Sequence, residues 1–229
     1  MKNNRGTMHH RSGRLRVATF NIGHSVIEHT QYRDYIHTNY IDLVALQEVR
    51  FDKLHELCTD KLNHLTYVET DGGQINAIQS GMRLLDKVET SLIGKGEQRK
   101  LLKVSTFFKK HTLSFYTTHL DAAYDNSTRL AQLHQIKEIM DKDQAEYKIL
   151  LGDFNIRDVS HFEILKPLKS LQGHLGTYFG TWDQSRGEWD SLCTDNILVT
   201  ENIEFGRSCR VANKMKSDHH MLWVELQLK

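Results

Sequence analysis

Polar side chains of the kinds that bind metal ions and phosphate groups stand at the ends of short apolar runs in this sequence. Asn21 and Glu48 each end such a run, and His119 ends a later one. Other members of the set stand beside further runs in the same way: Asp153, Asn155, Asp195, Asp218 and His219. A hard divalent cation takes oxygen ligands, an attacking water needs a base, and phosphoryl oxygens need donors that offset developing charge. These residues therefore predict a metal-assisted site for phosphate chemistry, gathered at the strand ends of a sheet.

The runs that carry these residues have the patterns of β-strands. Alternation over Leu15–Phe20 predicts a strand that ends at Asn21, and the nearly continuous apolar run Asp42–Gln47 predicts a strand buried on both faces. Further strands are predicted at Leu65–Glu69, Ile75–Gln79, Leu84–Ile93, Leu101–Phe108, Thr112–His119, Lys148–Leu151, Asn196–Thr200 and Met221–Leu228.

Fewer segments have the apolar spacing of a helix than have the pattern of a strand. The segment Ser127–Lys142 predicts a helix with Ser127 as its N-cap, and Gln31–Tyr40 has a weaker helical pattern. Two shorter helices are predicted, one from the spacing of Leu54, Leu57, Cys58 and Leu62 and one around Ser160–Leu165.

Composition narrows the class of protein. The 229 residues are 39% hydrophobic and carry a formal net charge of +1, which is ordinary for a globular protein and lacks the basic excess of many nucleic-acid binders. Three cysteines without a C-x-x-C pair predict free thiols in a reducing compartment. The polar, basic N-terminus has no apolar centre, and no apolar stretch approaches the roughly 20 residues of a membrane helix, so we predict a cytoplasmic protein. Residues 1–13 are predicted to be a flexible tail and residues 14–229 a single domain.

Six segments match, in order, the motifs of one large family. They are TFN at Asn21, LQE at Glu48, THLD at His119, GDFN at Asp153–Asn155, TDNILV at Asp195, and SDHH at Asp218–His219. The sequence thereby resembles the endonuclease/exonuclease/phosphatase superfamily, which includes pancreatic-type deoxyribonucleases, abasic-site endonucleases, inositol-polyphosphate 5-phosphatases, neutral sphingomyelinases and deadenylases. The resemblance implies an α+β fold, a four-layer α/β/β/α sandwich of two packed, mostly antiparallel sheets flanked by helices.

The resemblance also implies roles for the matched residues. Glu48 is expected to be the principal ligand of a catalytic Mg²⁺ or Mn²⁺, with Asn21 beside it. Asp153 is expected to orient or deprotonate the attacking water, and Asn155 to hold the phosphate or the nucleophile. A surface glutamate or a turn aspartate is the ordinary alternative for the two acids.

The imidazoles and their carboxylates complete the expected site. His219 should donate to a phosphoryl oxygen, and Asp218 should orient it or join the metal site. His119 should be a further donor, with Asp195 fixing its ring; a structural histidine–carboxylate pair is the alternative for these two residues.

Three more residues are expected to contact substrate. Arg50 follows Glu48 in a QEVR stretch like that of pancreatic-type deoxyribonucleases, while Asn76 lies in a strand that resembles the family's GNAILS segment, and Asp121 follows His119. A basic cluster around a predicted hairpin is either a substrate patch or a plain solvated surface: Lys95, Arg99, Lys100, Lys103, Lys109 and Lys110.

The sequence leaves the substrate open. The first hypothesis is a nuclease or phosphodiesterase acting on DNA or RNA, and the second is an enzyme for a small or lipid-linked phosphate ester. The Asp195 segment lacks the Trp and Arg of the inositol-phosphatase branch, although Asn155-Ile156-Arg157 is similar to its Asn-Tyr-Arg. A non-enzymatic binding module is disfavoured because every expected catalytic position holds a competent residue. We expect a monomer.

Overall fold

The computed structural model describes residues 13–23, 28–94, 98–123, 126–175, 180–182, 193–210 and 215–229. All but the last residue of the predicted N-terminal tail lies outside these ranges, and so does Lys95 of the predicted basic cluster. The prediction of one domain over residues 14–229 stays a prediction.

The described residues form twelve strands in two sheets. In chain order these strands are β1 (Arg14–Asn21), β2 (Leu43–Arg50), β3 (His64–Glu69), β4 (Gln74–Ser80), β5 (Leu84–Ser91), β6 (Lys100–Phe108), β7 (His111–His119), β8 (Tyr147–Asp153), β9 (Lys169–Ser170), β10 (Asp195–Val199), β11 (Ile203–Arg210) and β12 (Leu222–Leu228). The first sheet has the order β11-β12-β1-β2-β4-β3, and the second has the order β5-β6-β7-β8-β10-β9. Neighbouring strands are antiparallel except for the parallel pairs β1–β2 and β7–β8.

Side-chain alternation along the strands divides the apolar residues among three clusters. On β1, Leu15 and Val17 face the second sheet, while Ala18 and Phe20 face the opposite way. The first pair belongs to a core between the two sheets, which also contains Phe115 of β7. Each sheet therefore buries one face against the other sheet and its second face against a layer of helices.

Helices cover the outer face of each sheet. The described helices are α1 (His29–Thr38), α2 (Leu54–Leu57), α3 (Asn126–Lys142) and α4 (Leu171–His174), with 3-10 turns at Phe51–Lys53, Asp71–Gly73 and Val159–Leu165. The short helix α4 is the exception, since its Leu171 packs into the core between the sheets. Residues of α1 and α2 pack on the first sheet, and residues of α3 and of the last 3-10 turn pack on the second. The four-layer sandwich confirms the expected fold class. No helix among the described residues is long and apolar enough to cross a membrane.

Two local predictions differ from the structure. The helix expected from Leu54 to Leu62 ends at Leu57, because Cys58 is extended and the backbone N–H of Leu62 is taken up by the Thr59 hydroxyl at 2.9 Å. Strand β11 was not predicted. It lies at the edge of its sheet with a register shift between Phe205 and Ser208, so it needs little of the apolar pattern that marks a central strand.

The register of the second sheet aligns three of the expected site residues. His119 of β7 stands opposite Asp153 of β8, and Asp153 stands opposite Asp195 of β10. Gly152 permits this close arrangement, because a Cβ at that position would lie 2.2 Å from the carbonyl oxygen of Thr118. In the first sheet, Asn21 of β1 stands opposite Gln47 of β2, next to Glu48. The two sheets therefore bring their polar strand ends to the same end of the sandwich.

Candidate active site

The side-chain amide of Asn21 joins the two sheets at the centre of the site. Its Nδ2 donates to Oε1 of Glu48 at 3.0 Å and to Oδ2 of Asp153 at 2.8 Å. Its Oδ1 accepts the backbone N–H of Gly23 at 2.9 Å, which fixes the orientation of the amide. Two carboxylates that are more than a hundred residues apart in the chain thus share one donor, and each presents a further oxygen for another partner.

Glu48 and Asn155 hold their side chains in the site from unusual backbone conformations. Glu48 has a φ of 57° and lies where the pairing of β2 with β4 shifts register, between Leu46 and Val49. Asn155 has a φ of 51°, which an asparagine tolerates better than most residues. Its backbone N–H donates to Oδ1 of Asp153 at 2.9 Å and its Nδ2 donates to the Leu120 carbonyl at 3.0 Å. Such left-handed residues concentrate at functional sites, where the surrounding structure offsets a cost of about 1–3 kcal/mol.

His219 is paired with Asp195. Nδ1 of His219 lies 2.8 Å from Oδ2 of Asp195, and Nε2 lies 3.7 Å from Oδ2 of Asp153. The Thr194 hydroxyl donates to the same Asp195 oxygen at 3.1 Å. Burial opposes a charge on the imidazole, but Asp195 and Asp153 outweigh it and raise the pKa of His219 to about 10. The two carboxylates therefore favour the protonated form of His219.

His119 has a different partner from the one expected. Its Nδ1 lies 3.0 Å from Nη1 of Arg99, while its Nε2 lies 3.7 Å from Oε1 of Glu48 and 3.6 Å from Oδ2 of Asp153. The expectation that Asp195 fixes the ring of His119 is corrected here, since the antiparallel β8–β10 register sets Asp195 beside His219. His119 nevertheless stands in the expected place beside Asp153.

Asp218 lies on the rim of the site. Its Oδ2 accepts the indole N–H of Trp182 at 3.1 Å, and its Oδ1 lies so close to Gly23 that a Cβ there would come within 2.4 Å. The ring nitrogen of His219 is oriented by Asp195, which corrects the expectation that Asp218 orients this histidine. Asp218 acts on His219 through its charge, as one of the carboxylates that raise the pKa of the imidazole.

A pocket of about 460 Å³ is lined by most of these residues, namely Glu48, His119, Asp153, Asn155, Asp218 and His219. Glu48, Asp153 and Asp218 give it anionic walls, and Arg99, Arg129 and Arg157 give it cationic ones. The pocket is large enough for more than a phosphate group, and its mixed charges suit a bound cation next to an anionic substrate.

The donor set fits a hard divalent cation. Asp153 is 1% exposed, and one of its carboxylate oxygens converges with one of Glu48 on the amide nitrogen of Asn21, which donates to both. Oδ1 of Asp195 is buried and has no donor among the described residues. A second grouping consists of Asp153, Asp195 and His219, whose ligand atoms all lie within 4.8 Å of one another. Oxygen-rich, anionic surroundings of this kind suit Mg²⁺ or Mn²⁺ better than a softer ion.

Three expected substrate contacts are not brought into the pocket. Arg50 is exposed and makes a two-pronged pair with Asp52, at 3.0 Å from both oxygens. Asn76 is 1% exposed inside the sandwich. Asp121 is buried, and its Oδ1 accepts the backbone N–H of Ala123 at 2.7 Å, so it shapes the loop whose alanines line the pocket.

Three arginines and a tryptophan are among the pocket residues that the sequence did not predict as site residues. Arg99 stood within the basic cluster, and nothing in the strand pattern distinguished it from its lysine neighbours. For Arg157, the sequence signal was the similarity of Asn155-Ile156-Arg157 to the Asn-Tyr-Arg stretch of the inositol-phosphatase branch. Arg129 and Trp182 had none, because Arg129 lies on the helix α3 and Trp182 lies outside every predicted strand and helix.

Comparisons with known proteins agree with this geometry. The family model described as "Endonuclease/Exonuclease/phosphatase family" matches residues 18–219. A comparison with curated protein sequences gave no match. Among solved structures, D. rerio TDP2 humanised by 14 mutations is similar, with a TM-score of 0.81 and 18% identity over 94% of this chain and 100% of that one.

Two further structures are similar to this chain. One is D. rerio TDP2 complexed with a single-strand DNA product, at a TM-score of 0.80 and 16% identity, covering 93% of this chain and 99% of that one. The other is a mannosyl-6-phosphatase from Bacteroides thetaiotaomicron, at a TM-score of 0.73 and 15% identity, covering 93% of this chain and 99% of that one. At these identities the likeness establishes a shared fold.

Proposed function

Because the chain belongs to the endonuclease/exonuclease/phosphatase family, whose members are phosphoester hydrolases, we propose that it hydrolyses phosphodiester bonds of a nucleic acid with Mg²⁺ or Mn²⁺ as its cofactor. The observation that carries the proposal is the convergence on Asp153. Its Oδ2 accepts from Asn21 at 2.8 Å and lies 3.6 Å and 3.7 Å from Nε2 of His119 and of His219. A carboxylate beside two imidazoles is a suitable place for a water and a phosphoryl oxygen.

The cation would be held chiefly by Glu48, with Asn21 beside it. Glu48 is preferred to the grouping of Asp153, Asp195 and His219, since Asp195 and His219 are already bonded to each other at 2.8 Å. When bound, the cation neutralises charge on the phosphoryl oxygens and assists departure of the leaving oxygen. Asp218, on the rim, is an additional candidate ligand.

The chain's own residues divide the remaining tasks. Asp153 accepts the proton of the attacking water, and the side chain of Asn155 positions that water or the phosphate. His219, held by Asp195, donates to a phosphoryl oxygen, and His119 donates from the other side. None of these steps needs a covalent intermediate, so water is the proposed nucleophile.

A nucleic acid is favoured by the walls of the pocket. Arg157, which is exposed, adds positive charge to the pocket wall, where it is available to a neighbouring phosphate of a strand. The TDP2 structure with a single-strand DNA product shows that this fold accommodates such a strand in a relative. A small phosphate ester is the second candidate, favoured by the likeness to the mannosyl-6-phosphatase.

The test is a substrate panel with a matched inactive variant. Supercoiled plasmid, single- and double-stranded oligonucleotides, RNA, sugar phosphates, inositol phosphates and sphingomyelin are incubated with Mg²⁺, Mn²⁺ or EDTA. We expect metal-dependent cleavage of an oligonucleotide by the wild type and none by Asp153→Asn, which excludes a contaminating nuclease. Intact nucleic acids beside a hydrolysed sugar or lipid ester would replace the first candidate by the second.

Two further parts of the proposal concern the cellular location and the oligomeric state of the protein. A reducing, cytoplasmic location agrees with the free thiols of Cys58 and Cys193. A monomeric state stays a prediction, which size measurement in solution would decide.

A further inference from the structure

The contact between Arg99 and His119 is buried and lies in the pocket wall. Arg99 is 6% exposed and His119 is 4% exposed. Nη1 of Arg99 lies 3.0 Å from Nδ1 of His119. The backbone of Arg99 is anchored just before β6, where its carbonyl accepts the N–H of Leu92 at 2.8 Å. The backbone of Arg99 is therefore held by a hydrogen bond, and its guanidinium is held by the contact with the imidazole.

The chemistry of the two groups decides which ring nitrogen carries the proton. A guanidinium has only N–H donors and no acceptor. At 3.0 Å, Nδ1 of His119 must therefore present its lone pair to Arg99, which leaves the ring proton on Nε2. On the other side of the ring, Nε2 faces two acceptors, Oε1 of Glu48 at 3.7 Å and Oδ2 of Asp153 at 3.6 Å. The donor that faces Nδ1 and the acceptors that face Nε2 both require the tautomer with its proton on Nε2.

The second histidine of the pocket, His219, has the opposite arrangement, because its Nδ1 faces an acceptor instead of a donor. Nδ1 of His219 faces a carboxylate oxygen of Asp195 at 2.8 Å, so this nitrogen carries a proton. An arginine behind one imidazole and a carboxylate behind the other give the two rings different proton arrangements, although both turn Nε2 towards Asp153.

We propose that Arg99 is a positioning residue that fixes His119 as the Nε2–H tautomer and aims this N–H into the pocket as a hydrogen-bond donor. That the acceptor is a phosphoryl oxygen rests on the proposed function; the tautomer itself does not. His119 thereby stabilises charge on the substrate without giving up a proton, and the arginine acts through the imidazole.

The tautomer is tested directly by ¹⁵N NMR of the full-length, metal-free wild type with labelled histidine. The signal of His119 is identified by its loss in His119→Asn. We expect an unprotonated Nδ1 and a protonated Nε2 in the wild type. In Arg99→Met the constraint is removed, so the two nitrogen shifts should move towards each other as both tautomers become populated. A protonated Nδ1 in the wild type overturns the proposal, whatever the variants do.

Kinetics on a cleaved oligonucleotide test the consequence for catalysis. We expect kcat of Arg99→Met to fall about 10- to 100-fold with little change in KM, as is usual when the partner of a functional imidazole is removed. Arg99→Lys should regain part of the loss, because an ammonium can donate one hydrogen bond to Nδ1. The matched control is Arg83→Met, which removes an exposed arginine beyond the far end of β4 and should leave kcat unchanged.

The two proposals fail in different ways. If no phosphate ester is cleaved, the proposed function fails while the NMR result still decides the tautomer. If substrate is cleaved but Arg99→Met keeps its kcat, or loses only affinity through KM, Arg99 is not a positioning residue and this inference is overturned while the function stands.

Discussion

Asp143 and Asp153 are carboxylates on opposite faces of the second sheet, the first partly buried and the second buried, and their surroundings differ. The Asp143 side chain is 9% exposed and that of Asp153 is 1% exposed. Asp143 follows α3 and packs against the outer face of β6 and β7. It receives Nζ of Lys103 at 3.0 Å, the hydroxyl of Tyr116, and the backbone N–H of Ala145 at 3.1 Å. Its charge is matched by a cation and its oxygens have their donors.

Asp153 stands among other carboxylates. Glu48, Asp195 and Asp218 lie around it, and Nε2 of His219, a ring already engaged by Asp195, lies 3.7 Å away. Residues of the fold supply a donor to each oxygen of Asp153, but in the described part of the chain no lysine or arginine forms an ion pair with it. Buried charges are ordinarily paired or bound to metal.

The comparison separates a structural cluster from a functional one. The cluster around Asp143 already satisfies its own charge and hydrogen bonds. It therefore stabilises the fold and offers no group for binding a ligand. The cluster around Asp153 lines a pocket with room for the proposed cation and an anionic substrate. The same substitution, Asp to Asn, should therefore have opposite consequences at the two positions.

Asp153→Asn is expected to have the largest effect on activity. Loss of the carboxylate removes the proposed proton acceptor, so kcat should fall on the order of 10³-fold. The free energy of unfolding of the metal-free protein should change by less than about 1 kcal/mol, since the lost hydrogen bond from Asn21 is offset by reduced repulsion among the acids. Steady-state kinetics and urea unfolding measure the two quantities. A variant that retains activity would remove Asp153 from the chemistry.

Glu48→Gln is expected to weaken the metal dependence. The amide keeps the shape of the side chain but loses the charge that attracts the cation, so the Mg²⁺ concentration for half-maximal activity should rise about 10-fold or more. Titration of activity with Mg²⁺ at a fixed substrate concentration measures this shift. An unchanged titration curve would show that the cation is held by the other grouping, that of Asp153, Asp195 and His219.

The convergence of the motif residues could be predicted from the sequence, because local pattern and resemblance point the same way. Asn21, His119 and Asp153 each end a strand, Glu48 lies two residues before the end of β2, and strand ends in a layered fold meet at one edge. The four-layer architecture itself came from the resemblance, since strand and helix patterns alone do not fix how sheets pack.

The pairing of side chains within the site could not be predicted. Whether Asp195 meets His119 or His219 depends on the β8–β10 register and on the segment before β12, and both are set by contacts between distant parts of the chain. Arg99 could not be singled out for a related reason. It lies one residue before β6, where alternation does not yet determine which way a side chain points.

Asp143→Asn is expected to lower stability and spare activity. The amide cannot match the charge of Lys103 or accept as strongly from Tyr116, so the free energy of unfolding should fall by about 1–2 kcal/mol. The value of kcat/KM should stay within about twofold of the wild type, because the cluster lies on the face of the sheet that is turned away from the pocket. If stability is unchanged while activity falls, the division between structural and functional carboxylates is wrong.

The smallest effect that we predict is the pH dependence of the stability that Asp143 contributes to the fold. Burial alone would raise the pKa of this carboxyl, but hydrogen bonds from neighbours that include Tyr116 and Lys103 outweigh it and lower the pKa from 3.8 to about 2. A lowered folded-state pKa means that the ionised group stabilises the fold above about pH 4 and that this stabilisation is lost as the pH falls through about 2.

The difference in unfolding free energy between the wild type and Asp143→Asn, measured with denaturant, should therefore be constant from about pH 7 to 5 and shrink between about pH 4 and 2. Subtracting the variant cancels the titration of every other group that behaves alike in both proteins, Asp153 and its neighbours included. A difference that persists undiminished at the acid end would mean that Asp143 stabilises the fold by its shape and packing, and the contrast with Asp153 would then rest on activity alone.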